Sequence, residues 1–305
     1  MSFEDLPPLP PALTAGGRSY ATNVTERSRA VLKGESGRHL DCAYGSDYWQ
    51  KVDVFPPEGA GDRLVPILLF AHGGAWVSGC KEWMAFMAPV LRKLPMLFVS
   101  VSYRLAPMSR FPEPLEDCAE AVRWIYERAA SWQGDRSRIF VGGHSAGGHL
   151  MSLLALRPDL LQARGLPRGA IQGCFAVSTP FGMRSSDTVI PSEVMELSRQ
   201  ALLRDPNDAA DASPLAHVSS NAPKFLITLG QNDFPFIREQ APVMRAALEA
   251  TGNEVVYQDL AGHDHFATNE CCVDPGHPWL AAVAEMMGLA DEQARMSLTA
   301  RERTR

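Results

Sequence analysis

Hydrophobic and polar positions along this chain follow two rhythms that take turns. Near-continuous apolar runs of strand length occur at Leu64–His72 (LVPILLFAH) and Met96–Tyr103 (MLFVSVSY), the pattern of strands buried on both faces. PLEDCAEAVRWIYERAASW then puts Ala119, Val122, Ile125 and Tyr126 on one side of a helix. RIFVGG reads as a short strand, and AGGHLMSLLAL as a helix stopped by Pro158, since proline cannot continue the helical hydrogen bonds. AIQGCFAVS, KFLITLG and EVVYQDL supply further strands, with the helix FIREQAPVMRAALEATG between the last two and HPWLAAVAEMMG as a closing helix. Alternation this regular predicts an α/β fold, a mostly parallel central sheet with helices on both faces.

Three segments break the rhythm. Residues 1–40 are rich in Pro, Gly, Ser and charge and read as an irregular N-terminal arm. Residues 180–222 separate two strands by more chain than a plain connection needs, which predicts a small helical lid. Residues 290–305 form a polar tail. No internal repeat divides the chain, and 305 residues suit a single α/β domain over 1–305.

Composition narrows the partners. A formal net charge of −6 with no basic run argues against nucleic acid. No window approaches the roughly 20 apolar residues of a membrane span, and the first residues lack the basic start and apolar core of a secretory leader. The six cysteines are scattered, with no C-x-x-C pair, as in a reducing compartment. A soluble, cytoplasmic protein acting on a small molecule is the expectation.

The chemistry begins at RIFVGGHSAGGHL. Gly143-His144-Ser145-Ala146-Gly147 fits G-x-S-x-G between a predicted strand and a predicted helix; small residues there permit the sharp turn that exposes a serine oxygen. A serine in a glycine-rich turn is by itself only a turn residue. Two later groups change that reading: Asp233 follows the strand KFLITLG, and His265 follows EVVYQDL. All three fall beyond carboxyl ends of strands, where open α/β sheets bind ligands, and the order Ser, Asp, His is that of an α/β-hydrolase triad. HGGAW (His72–Trp76) ends another strand and offers backbone N–H groups of Gly74 and Ala75, with that of Ala146, to a developing oxyanion. Trp76 either lines an acyl pocket or packs under this loop, and Phe181 and Met183 either face substrate or cover the core. Asp117 is read as structural, holding a neighbouring loop. A metal reading of His263, His265, Cys271, Cys272 and His277 fits no common zinc spacing, so neither metal nor organic cofactor is expected.

These motifs resemble the α/β-hydrolase superfamily over nearly the whole chain, and within it the hormone-sensitive-lipase-like esterases and the kynurenine (aryl) formamidases. YRLAPMSRFPEPLEDCAEAVRW is similar to the esterase segment after the oxyanion loop; HGGAW, GHSAGGHL and GHDHF look more like the formamidases. The chain departs from the lipase-like HGGG by carrying Ala75 in third place, which leaves a backbone donor intact. The resemblance implies that His265, followed by Phe266, is the catalytic histidine and His263 a solvated or supporting one. It also implies hydrolysis of a small carboxylic ester, with an N-formyl arylamine as the alternative substrate. Acyl transfer to an alcohol, or a non-catalytic ligand receptor on the same fold, are the remaining readings.

Overall fold

In the computed structural model, which describes residue 3 and residues 6–34, 37–59 and 63–290, the apolar runs become strands. They are β1 (His39–Ala43), β2 (Lys51–Phe55), β3 (Val65–Ala71), β4 (Leu97–Val101), β5 (Gly134–His144), β6 (Ile171–Val177), β7 (Lys224–Asn232) and β8 (Val255–Asp264). They pair in the order β1-β2-β4-β3-β5-β6-β7-β8. β2 runs antiparallel to β1 and β4, and every pair from β4 to β8 is parallel.

Period-two alternation sorts the central side chains onto two cores. Ile67, Leu69, Ala71, Val99 and Val101 face one side, packed against helices Glu113–Arg128, Ala146–Leu156 and Pro235–Ala250. Leu68, Phe70 and Phe98 face the other, with Trp279 of helix Pro278–Met286. Neither face sees water, which is why these strands show no polar alternation.

The N-terminal arm is a correction. Ala15–Gly34 is an α-helix, not irregular chain. Its buried positions are Gly17, Tyr20, Val24 and Ser28, a helical spacing hidden because two of the four are not hydrophobic. Thr14 starts it, its Oγ1 accepting the Gly17 N–H at 2.9 Å. Tyr20 and Val24 join the core that holds Phe70 and Trp279, and burying Val24 contributes about 1.5–3 kcal/mol. β1 and β2 also escape the sequence pattern, because β2 buries a charge. Asp53 meets Lys81 Nζ at 2.8 Å, and the same ammonium meets Asp41 at 3.0 Å and Glu82 at 2.6 Å.

The segment 180–222 contains helix Glu193–Leu202, which buries Met195, Ser198 and Leu202, and three short 3₁₀ turns. The polar tail lies outside the described residues apart from Ala290. Among the described residues no helix is long and apolar enough to cross a membrane.

Candidate active site

β3 and β5 are neighbours at the middle of the sheet, so the loops leaving their carboxyl ends meet. The β5 exit turns into helix Ala146–Leu156 through Ser145, at φ 52° and ψ −117°. A left-handed φ strains a residue with a side chain, at about 1–3 kcal/mol. The Ser145 N–H donates to Val177 O at 2.9 Å and holds the turn. Glycine is required on both sides of it. A Cβ on Gly147 would lie 2.3 Å from Ala71 O, and one on Gly143 would lie 2.4 Å from the Gly147 carbonyl carbon.

The loops after β7 and β8 bring Asp233 and His265 to this turn. His265 Nε2 lies 3.0 Å from Ser145 Oγ, and His265 Nδ1 lies 2.7 Å from Asp233 Oδ1. Both side chains are buried. Burial alone raises the Asp233 pKa, but the His265 charge and hydrogen bonds from His265, Ser178 and the Phe234 N–H outweigh it, leaving the carboxyl below its ordinary range. Asp233 is therefore an ionised acceptor beside the imidazole. Ser178, donating to Asp233 Oδ2 at 2.5 Å, was not singled out from the sequence. A serine after an apolar strand carries no signature, and its role depends on where β6 ends beside β7.

The HGGAW loop stands across from Ser145. Gly74, Ala75 and Trp76 all have positive φ, at 127°, 53° and 61°. Among the described residues the N–H groups of Gly74 and Ala75 have no backbone partner, and Ala146, first in its helix, has no intrahelical one. Between loop and turn opens a cleft of about 680 Å³, mouth included. Tyr20, Trp76, Trp83, Phe234, Phe236 and Phe266 form aromatic walls, and Val194, Met195 and Ser198 add a side from the 180–222 segment. Among the described residues that line the cleft, none is an Asp, Glu, Lys or Arg.

The model of a family with the alpha/beta hydrolase fold matches residues 68–269, two-thirds of the chain. The chain belongs to the α/β hydrolases. A kynurenine formamidase of Danio rerio is 27% identical over 264 residues, covering 87% of this hydrolase and 85% of that enzyme. Esterase LipC of Mycobacterium tuberculosis is 32% identical over 235 residues, and the hydrolase spans 58% of its length. Among solved structures, the carboxylesterase EstE1 from a metagenomic library superposes with a TM-score of 0.68 at 25% identity, covering 89% of this chain and 97% of that one. A hyperthermophilic esterase from Pyrobaculum calidifontis has the same fold, with a TM-score of 0.71 at 20% identity over 90% of this chain and 92% of that one.

Other expected residues of the hydrolase sort as follows. Trp76 lines the cleft and packs edge-on against His149, with ring centroids 4.9 Å apart. Phe181 is corrected: it is fully buried in the core and does not line the cleft. Gln240 Oε1 accepts the N–H groups of Phe181 and Gly182 at 2.8 and 3.0 Å, which pulls this stretch inward. Met183 is core as well. Asp117 holds a loop, accepting from Gln50 Nε2 at 2.7 Å, Arg104 N at 2.9 Å and Arg104 Nη2 at 2.8 Å. His263 stays outside the cleft, with Nδ1 3.0 Å from Ala261 O. Among the described residues no three His, Cys, Asp or Glu side chains gather as a metal site.

Proposed function

We propose that this α/β hydrolase cleaves an uncharged carboxylic ester through an acyl-enzyme on Ser145. His265 Nε2 takes the Ser145 proton as Oγ attacks the carbonyl, and Asp233 holds the opposite Nδ1–H, fixing the tautomer and stabilising the charged imidazole. The carbonyl oxygen, becoming negative, is received by the N–H groups of Gly74, Ala75 and Ala146. His265 returns the proton to the departing alcohol. Water then repeats the sequence on the acyl-enzyme and frees the acid and Ser145. In the same reading the 180–222 segment is a lid, since Val194, Met195 and Ser198 face the cleft.

The observation that carries the ester reading is the uncharged lining around the 3.0 Å Ser145–His265 pair. N-formylkynurenine brings an ammonium and a carboxylate, and unpaired charge against apolar walls costs several kcal/mol. An aryl ester brings a flat neutral ring that the aromatic walls can pack. The aryl-formamidase reading is favoured by the Danio rerio relative, similar over most of both chains. A panel of kcat/KM values separates the two: aryl formate, acetate and butyrate, neutral N-formylanilide, and N-formylkynurenine. Acetate or butyrate is expected to lead, each added methylene helping up to about fourfold until the pocket fills. N-formylkynurenine is expected at least about a hundredfold lower, a gap of about 2.7 kcal/mol. Efficient N-formylkynurenine turnover with a steep fall from formate to butyrate would overturn the ester reading.

A further inference from the structure

His144, the residue before Ser145, is buried in the cleft wall and has no part in the proton transfers above. Its Nε2 lies 2.8 Å from the backbone carbonyl oxygen of His265. A carbonyl only accepts, so Nε2 carries a proton and donates. The ring sits beside that of His265, with centroids 4.9 Å apart, and Tyr20 covers it at 5.3 Å. The remaining nitrogen, Nδ1, is buried without a partner among the described residues. It faces Gly73, where an added Cβ would lie 2.7 Å away.

The His265 carbonyl accepts two hydrogen bonds. The His265 carbonyl has a second neighbour, Thr268 Oγ1, at 2.8 Å. Thr268 Oγ1 is also 2.7 Å from Ser178 Oγ. Ser178 has one hydroxyl proton, and Asp233 Oδ2, an acceptor, takes it at 2.5 Å. The Thr268 hydroxyl donates to the His265 carbonyl, beside the His144 Nε2–H, one bond for each lone pair of that oxygen. The two donors anchor the carbonyl to different parts of the fold. Thr268, three residues along the same turn, shapes the loop internally. His144 instead ties the loop to the strand that carries Ser145.

We propose that His144 is a positioning residue for the proposed reaction, its Nε2–H bond to the His265 carbonyl fixing the imidazole at hydrogen-bond distance from Ser145. Burial in this aromatic pocket also keeps the ring neutral, pushing its pKa down to about 3. A donor that stayed charged would oppose the charge that His265 gains when it takes the Ser145 proton.

This inference rests on Ser145 and His265 acting as proposed, and the test separates the two. Wild type, H144F, H144M and H144Q are compared on one aryl acetate, with Ser145 labelling by a fluorophosphonate followed in parallel. H144F keeps the ring without the donor; H144M and H144Q share a length, and only glutamine restores an N–H. The donor-less variants are expected to lose about ten- to a hundredfold in kcat with KM within about twofold, and to label more slowly, as misplacement of reacting groups does. H144Q is expected to recover most of both. Should H144F not fold, the H144M–H144Q pair decides alone. Wild-type kcat in H144M, or folded H144Q as slow as H144M, would overturn the inference. Wild type that turns over ester without label at Ser145 would remove the Ser145 reading and this inference with it.

Discussion

Ser145, Asp233 and His265 are each placed by a different strand end, and each has one substitution that isolates its part. S145A removes the proposed attacking oxygen and is expected to lower kcat on the order of a million-fold, the loss typical of a deleted serine nucleophile. D233N keeps the shape but favours the wrong imidazole tautomer, so a loss of about ten-thousandfold is expected in folded enzyme; near-normal kcat would assign the orienting role elsewhere. H265A is expected to abolish turnover. H263A should keep most of it, because that ring lies outside the cleft against Ala261 O, and the reverse outcome would move the base to His263. The three positions were legible in the sequence, because G-x-S-x-G and the strand ends locate them without coordinates. Ser178 and His144 were not legible in their roles, since each acts through a partner more than fifty residues away.

Elements that were legible are those whose chemistry matches their burial. β3 and β4 are apolar at nearly every position and buried throughout. Helix Ala15–Gly34 and strand β2 were hidden because tertiary contacts, not composition, decide them: the helix buries Gly17 and Ser28, and β2 buries Asp53 against Lys81. The correction at Phe181 has a measurable consequence. As a core residue, its replacement in F181A is expected to cost about 3–5 kcal/mol of stability. A large drop in the urea midpoint, with the ranking of aryl esters unchanged, is the expected result. Altered ester ranking at wild-type stability would return Phe181 to the substrate site.

Taken whole, the molecule keeps several imidazoles away from water. Burial lowers the pKa of His72 and His149 to about 4 and that of His144 to about 3. Their unfolded values are about 6.5. Between these limits the unfolded chain binds protons that the folded one refuses, so stability falls as pH drops below about 6.5. At pH 5.5 each such histidine costs on the order of 1 kcal/mol. Asp53 acts in the opposite direction. Burial raises its pKa, so its protonation favours the folded state and offsets part of that loss. Asp233, held low, loses its contribution only at more acidic pH, through its folded pKa. Urea unfolding at pH 7.5 and 5.5 is therefore expected to differ by a few kcal/mol, the acidic sample being weaker. Equal stability at the two values would contradict neutral burial of these rings.

The proposed hydrolysis passes through an acyl group on Ser145. Its most direct test is acid quenching during turnover of a slowly deacylated aryl ester, followed by intact mass and peptide mapping. An added acyl mass is expected on the peptide that contains Ser145, appearing with the first burst of phenol and decaying at the turnover rate. Phenol release with no acyl mass on that peptide, or an acyl group turning over at the same rate on another residue, would contradict it.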